Sequence, residues 1–121
     1  KNTLSNKREE GTRGEEKAIS ILKAEGYKIL DKNFRSYFGE IDIIAEEGGY
    51  LVFIEVKKRN TPVYGTSLEA VNKEKKRHII KSAMYYLKTN RCFDKKVRFD
   101  VVGFDGGKAK IVKHAFDIEQ D

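Results

Sequence analysis

The chain has few of the residues that cross-link a protein or hold a structural metal. Its 121 residues include one cysteine, Cys92, and two histidines, His78 and His114. A single cysteine excludes an internal disulfide, and these three scattered residues provide no spaced set for structural zinc. No apolar run approaches the roughly 20 residues of a membrane span, and the charged residues 1–13 contain no signal-peptide core. We therefore expect a cytoplasmic protein that does not enter a membrane.

Length and charge bound the number of domains and the kind of partner. A chain of 121 residues is large enough for one modest core and too small for two. We predict one domain over residues 11–121, preceded by a flexible polar segment over residues 1–10. The 25 basic residues against 19 acidic ones give a net charge of +6, which favours a polyanion as partner.

The most informative feature is a pair of runs that place charged residues inside apolar strand sequence. These runs are Gly39–Ile44 and Val52–Lys57, both rich in β-branched and aromatic residues. Gly48-Gly49 between them is typical of a two-residue hairpin loop. Such a loop sets Asp42 opposite Glu55, with their Cβ atoms roughly 4.5–5.5 Å apart. Like charges there destabilise a hairpin, and a bound cation would convert the repulsion into a pair of ligands.

A lysine accompanies the two carboxylates. Lys57 follows Glu55 by two residues, so strand alternation places the two side chains on the same face. Magnesium is commonly held by one or two carboxylates together with waters and substrate phosphates. A lysine beside a metal-bound water could orient it and offset charge on a phosphoryl group. The pattern thus suggests metal-assisted phosphodiester hydrolysis; the alternative is an ordinary cross-strand ion-pair cluster on a half-exposed sheet.

Glu15 is a second candidate, contributed by a first helix that ends near Gly26. Its spacing from Ala18, Ile19 and Leu22 places it on the core side of that helix, whereas Glu16 lies outside. The run from Thr12 to Glu15 also fits a capping box, in which Glu15 would reach back to the backbone of Thr12. A capping role and a site role are both open.

The remaining segments predict a mixed sheet flanked by helices. We expect strands over Tyr27–Arg35, in both hairpin runs, over Lys96–Phe104 and, as a short edge strand, over Ala109–Lys113. A long helix opens at the capping box Thr66-Ser67-Leu68-Glu69. This helix is a crossover, so the strands that it joins should be parallel, while the hairpin is antiparallel. The fold class is therefore α/β. Arg98 and Asp100 in the fourth strand read as an ion pair on its outer face.

Basic residues surround the predicted site. Lys58 and Arg59 begin a loop that leaves the second hairpin strand, and Lys75, Lys76 and Arg77 lie in the first half of the long helix. Such a density of positive charge suits contact with a phosphate backbone. Lys75 shares the inner stripe of the helix and is expected to point toward the sheet. The alternative for each of these residues is a solvated helix or loop surface.

These elements resemble the PD-(D/E)xK nuclease superfamily, whose core runs αβββαβ with its acidic and lysine residues on the central hairpin. Asp42 and Glu55-Val56-Lys57 match that signature. More closely, the chain resembles the bacterial UPF0102, or YraN-like, family, which is grouped with endonucleases and is similar to archaeal Holliday junction resolvases. The resemblance runs from Gly11 to Phe116. It rests on Gly14-Glu15, Gly26-Tyr27, Asn33-Phe34-Arg35, Gly39-Glu40-Ile41-Asp42, Phe53 to Lys57, Arg59, Tyr64-Gly65, Glu69-Ala70-Val71, Lys75, Tyr86-Leu87 and Arg98-Phe99-Asp100.

The resemblance implies roles for individual residues. Asp42, Glu55 and the Val56 carbonyl would bind Mg²⁺ or Mn²⁺, Lys57 would assist the water, and Glu15 matches a first-helix glutamate of resolvase-like members. It implies an endonuclease that acts on DNA, with branched, Holliday-junction-like DNA as one substrate to consider and a homodimer as one assembly. The alternative is a non-catalytic nucleic-acid-binding module that retains the nuclease fold.

Overall fold

The computed structural model describes residues 3–59, 73–105 and 107–118, which form two helices and five strands. In chain order these elements are α1 Thr3–Ala24, β1 Lys28–Ser36, β2 Gly39–Glu47, β3 Tyr50–Arg59, α2 Lys73–Thr89, β4 Lys96–Asp105 and β5 Lys108–Phe116. This order is the predicted one. The predicted start of the long helix, at residues 66–69, and most of the loop before it lie outside the described residues.

The strands form one mixed sheet in the order β1–β2–β3–β4–β5. β3 and β4 are parallel, and the other three neighbouring pairs are antiparallel. The parallel pair follows from the crossover through α2, because a helix between two strands of one sheet returns the chain in the same direction. The protein is thus a small single-domain α/β fold with a five-stranded mixed sheet and two helices, as predicted.

The sheet separates two hydrophobic cores. The α2 side buries Ile79, Ala83 and Leu87 of the helix against Phe53 and Phe99 of the sheet. The α1 side buries a second set, which comprises Ala18, Leu22, Tyr27, Ile43, Ala45, Val52, Ile54, Val102 and Phe104. Successive residues of β3 therefore alternate between the cores, as a strand covered on both faces requires.

The β2–β3 hairpin has the predicted two-residue loop. Gly48 and Gly49 both have positive φ angles, of 59° and 84°, which fits the type I′ turn that matches strand twist. The ladder runs from Glu47 opposite Tyr50 to Ile43 opposite Ile54. The predicted register is therefore confirmed as far as Ile43 and Ile54, and the ladder ends before it reaches Asp42 and Glu55.

The first helix is longer than predicted at its start. It begins at Thr3, so residues 12–15 lie inside the helix, and the interpretation of this run as an N-terminal capping box is wrong. Residues 3–10, predicted as a flexible segment, have helical backbone here, and their flexibility stays a prediction. The end of the helix is as predicted: Gly26, with a φ of 95°, donates to Lys23, and Tyr27 donates to Leu22, which is the Schellman pattern.

Arg98 and Asp100 form the predicted ion pair, but its predicted place on an exposed outer face is wrong. Both are buried, and the guanidinium binds the Asp100 carboxylate through two bonds of 2.9 Å. The Tyr27 hydroxyl donates to Asp100 Oδ2 at 2.7 Å, and Glu47 Oε1 lies 2.7 Å from the guanidinium. Burial and the Asp100 carboxylate raise the pKa of Tyr27. The chain that leaves α1 covers this face, which alternation alone could not reveal.

β5 is also longer than the short strand predicted, because it pairs with β4 as far as Phe116 opposite Phe99. The ring of Phe116 stacks on that of Phe99, with centroids 5.0 Å apart, and is buried with it. Neither of the described helices is long and apolar enough to cross a membrane.

Candidate functional site

The candidate site lies where β2 and β3 part. Their ladder ends at Ile43 and Ile54, whereas β3 continues beside β4 as far as Arg59. At the next position along, Asp42 Oδ2 accepts a hydrogen bond from the Val56 N–H at 2.8 Å. A side-chain oxygen thus replaces the carbonyl that a continued ladder would have supplied. The replacement holds the Asp42 carboxylate between the two strands.

The backbone of β2 is irregular across the same residue. Ile41 and Ile44 both belong to the core on the α2 side, whereas Ile43 belongs to the core on the α1 side. Regular alternation would place residues 41 and 44 on opposite faces. The change of face falls at Asp42. Beside it on β1 lies Asn33, which has a positive φ of 55°.

Glu55 is the buried centre of the site's charges. It is only 4% exposed, and its Oε2 lies 3.4 Å from Lys57 Nζ and 3.5 Å from Lys75 Nζ. Two ammonium groups offset the cost of burying this carboxylate. The contact confirms that Lys57 shares a face with Glu55, and it confirms that Lys75 points from α2 toward the sheet.

Glu55 perturbs its neighbour Asp42. Burial and the neighbouring Glu55 carboxylate raise the pKa of Asp42 to about 8, against a smaller lowering effect of the Val56 N–H. At neutral pH the carboxyl of Asp42 therefore retains a proton in the protein without metal. Among the described residues, Asp42 takes part in no ion pair, because both lysines contact Glu55.

Glu15 approaches the site from α1. It is half-buried, whereas Glu16 is exposed, as the helical spacing predicts. Its Oε1 accepts a hydrogen bond of 3.1 Å from Asn33 Nδ2, and its charge adds a smaller upward contribution to the pKa of Asp42. Glu15 is therefore near Asp42, and its carboxylate is held there by Asn33 of the neighbouring strand β1.

The oxygen atoms at the site suit a hard divalent cation, but the protein side chains supply only a few of them. Throughout the part of the chain that the structure describes, no group of three or more His, Cys, Asp and Glu side chains is arranged to hold a metal. Asp42 and Glu55 supply two carboxylates, and the Val56 carbonyl adjoins them in sequence. Mg²⁺ is commonly held by one or two carboxylates, with waters and substrate phosphates completing its shell. The residues present fit that pattern.

The predicted basic residues do not all gather at the carboxylates. Lys75 does, but Lys76 Nζ lies over the ring of Phe116, 5.6 Å from its centroid. Lys58 and Arg77 are exposed. The side chain of Arg59 lies outside the described residues.

Sequence reasoning assigned no role to Asn33 or to the Val56 N–H. Asparagine tolerates a positive φ angle better than most residues, but its presence alone is only a weak indication of that conformation. The bond from Val56 to Asp42 depends on where the ladder ends, and no sequence pattern gave that position.

Together the fold and the site define a class: small α/β proteins in which two strands of a mixed sheet part around a carboxylate pair and two lysines. This chain belongs to the UPF0102 family, since the model described as "Uncharacterised protein family UPF0102" matches residues 14–104. The matched segment contains Glu15, Asp42, Glu55, Lys57 and Lys75.

Relatives cover nearly the whole chain. A UPF0102 protein of Persephonella marina is 43% identical over 109 residues, which are 90% of this chain and 94% of the relative. One of Lachnoclostridium phytofermentans is 44% identical over 113 residues, or 93% and 96% of the two chains. The similarity to this family, predicted from the sequence segments, is confirmed.

Proposed function

We propose that this protein is a Mg²⁺- or Mn²⁺-dependent endonuclease that hydrolyses phosphodiester bonds in DNA, with branched DNA as a candidate substrate. The observation that carries the proposal is the neighbouring pair of carboxyl groups of Asp42 and Glu55, with Lys57 beside Glu55. These residues and the element order match the PD-(D/E)xK signature and the αβββαβ core of a restriction-endonuclease-like fold.

The arrangement differs from an ordinary structural ion-pair cluster. In such a cluster each carboxylate would face a cation, yet both lysines contact Glu55, and Asp42 is bonded to a backbone N–H. Like charges placed opposite each other destabilise a sheet. A site that binds a divalent cation has a reason to keep two carboxyl groups together, even though one of them holds a proton at neutral pH when no metal is bound.

Each residue has a distinct part in this proposal. Asp42, Glu55 and the Val56 carbonyl would hold the metal, which when bound would act as a Lewis acid and lower the pKa of its water. Lys57 would orient the nucleophile and offset charge on the phosphoryl group. Lys75, which approaches Glu55 from another element, would bind a phosphate oxygen, and Glu15 would support Asp42 from the α1 side.

The test is cleavage of labelled four-way junction, duplex and single-stranded DNA, with and without Mn²⁺ or Mg²⁺. We expect divalent-dependent cleavage that Asp42→Asn, Glu55→Gln and Lys57→Ala each reduce by a factor of at least 100, while DNA binding largely survives. Glu46→Gln is the matched control, because Glu46 lies on the same strand and pairs with Lys95 at the far end of the sheet. Undiminished cleavage by all three site variants would refute the assignment.

A non-catalytic nucleic-acid-binding module is the second candidate. It is favoured by the two lysines that already neutralise Glu55, since a cation must compete with them. This candidate predicts salt-sensitive DNA binding without hydrolysis in any metal. Replacing Lys75, Lys76 and Arg77 by alanine should then remove the affinity.

A further inference from the structure

An exposed aromatic surface lies beside the candidate site and has no part in the chemistry above. It consists of Tyr37 and Phe38 in the β1–β2 turn with Phe34 and Tyr85 behind them, and we call these four residues the aromatic turn. Tyr37 is 97% exposed, and Phe38 and Tyr85 are 39% and 44% exposed. Exposed apolar surface of this kind commonly marks a place where something binds.

The backbone of the aromatic turn is fixed. Ser36 Oγ accepts the Phe38 N–H at 3.1 Å, donates to the Gly39 carbonyl at 3.3 Å and lies 3.0 Å from Ser82 Oγ of α2. Gly39 lies close beneath His78, since a Cβ added to it would meet His78 Cβ at 3.5 Å. The exposure of Tyr37 is thus a property of an anchored turn.

The rings form a chain from the core outward. Phe34 meets Tyr86 edge-on at 5.1 Å, and Phe38 meets Tyr85 at 6.5 Å between centroids. Tyr37 then meets Phe38 edge-on, at 5.6 Å. An edge-on contact leaves the face of the outermost ring accessible. That face is the part of an aromatic side chain on which a nucleic-acid base stacks.

Two elements lead from the aromatic turn to the carboxylates. Along β2, Asp42 lies four residues after Phe38 and five after Tyr37, or about 13–17 Å at 3.3 Å per residue. Along α2, Tyr85 lies ten residues beyond Lys75, or about 15 Å at 1.5 Å per residue. At 3.4 Å per nucleotide along one strand, these lengths correspond to about four or five nucleotides. A strand with a phosphate at the carboxylates would therefore bring nearby bases to Tyr37.

The charge around the aromatic turn favours a polyanion. Arg77 and Lys81 are exposed on α2 between Lys75 and Tyr85, and Arg35 is largely exposed beside Glu40. A second copy of this chain is a poorer fit, because a two-fold interface on this surface would bring the basic residues of both copies together.

We propose that Tyr37 and Phe38 form a stacking platform for unpaired bases of the strand whose phosphate lies at Asp42 and Glu55. The inference rests on the proposed function and names its substrate class: nucleic acid with unpaired nucleotides about four or five positions from the cleaved bond. A platform of this kind tolerates any base, because every base presents a π-face.

The first experiment measures binding in EDTA by fluorescence anisotropy, using the full chain, a duplex with a single-stranded arm, and a fully paired duplex of the same length. Removing one stacking ring weakens binding by roughly 5- to 150-fold. We expect Tyr37→Ala to weaken binding of the armed duplex by at least five-fold and to leave the paired duplex unchanged. Tyr37→Trp should retain the affinity.

Phe93→Ala is the matched control. Phe93 is also an exposed aromatic residue, but it follows α2 near the opposite end of the sheet from Asp42. A second readout is direct: an arm that carries 5-iodouracil should photocrosslink to Tyr37 or Phe38, as identified by mass spectrometry of the peptides.

The outcomes separate the two levels of the argument. If the wild type binds or cleaves DNA while Tyr37→Ala and Phe93→Ala behave alike, the platform is refuted and the nuclease assignment stands. If the wild type neither binds nor cleaves any DNA, both are refuted. If the wild type is a dimer and Tyr37→Ala a monomer by sedimentation, a second copy covers the aromatic turn and the platform is again wrong.

Discussion

Replacing the buried Asp42 should stabilise the protein while removing its proposed activity. Burial and the Glu55 carboxylate raise the pKa of Asp42 from 3.8 to about 8. A group whose pKa is raised on folding contributes stability that is fully present below its unfolded pKa and is lost as the pH rises through its folded pKa. From about pH 4 to pH 7 this contribution to stability is lost at about 1.4 kcal/mol per pH unit.

At pH 7 folding therefore requires Asp42 to take up a proton, which costs about 4 kcal/mol. Asp42→Asn removes this cost, and its amide oxygen can still accept the Val56 N–H. Its amide nitrogen can donate to Glu55. Because a buried amide is itself imperfectly solvated, we expect a net gain of about 2–4 kcal/mol in the free energy of unfolding.

Urea denaturation in EDTA at several pH values measures this difference. The advantage of Asp42→Asn over the wild type should be near zero at pH 4 and grow toward pH 8. Glu46→Gln, at an exposed pair, should stay within about 0.5 kcal/mol of the wild type throughout. Added Mn²⁺ should stabilise the wild type and not Asp42→Asn. A variant less stable than the wild type at pH 7, or a difference independent of pH, would refute the reasoning.

Four further predictions concern other residues. Asp100→Asn leaves the buried Arg98 guanidinium with less countercharge and should lower the free energy of unfolding by about 3 kcal/mol, measured by urea denaturation at pH 7. Gly26→Ala forces a side chain into a positive φ of 95° and should lower it by about 1 kcal/mol in the same assay. Lys75→Ala should reduce DNA cleavage about ten-fold in the labelled-substrate assay, and Arg77→Ala should alter mainly the salt dependence of binding.

Local signals made the centre of the site predictable. The loop Gly48-Gly49 determines the register of β2 and β3, and a period of two then places Lys57 with Glu55. Both steps depend only on residues within one hairpin. The strand directions followed from one more local inference, that a helix joins β3 to β4.

Other features depend on contacts between distant segments, which local patterns do not encode. The position of Glu15 beside the site depends on Asn33, eighteen residues away, which holds its carboxylate. The burial of Arg98 depends on Tyr27, which reaches β4 from the end of α1. The anchoring of the Tyr37–Phe38 turn depends on the contact of Ser36 with Ser82 of α2, which no local pattern around the turn predicts.

The two buried charge clusters of the sheet differ in a way that separates structure from function. In the first, Asp100 binds Arg98 through two bonds, and its oxygens also accept the Tyr27 hydroxyl and the His114 N–H. The same guanidinium lowers the pKa of Glu47. Opposite charges and donors are matched, as a cluster that only stabilises the fold requires.

The second cluster leaves a mismatch in place. Burial and the neighbouring Glu55 raise the pKa of Asp42 at the point where the ladder between β2 and β3 ends, so Asp42 holds a proton at neutral pH in place of a matched cation. At Asp100 the same sheet provides a buried carboxylate with a cation and hydrogen-bond donors. The sheet can therefore accommodate a buried carboxylate whose partners match its charge. A binding requirement accounts for the mismatch at Asp42, because a divalent cation is the group that turns two opposed carboxylates into a favourable pair.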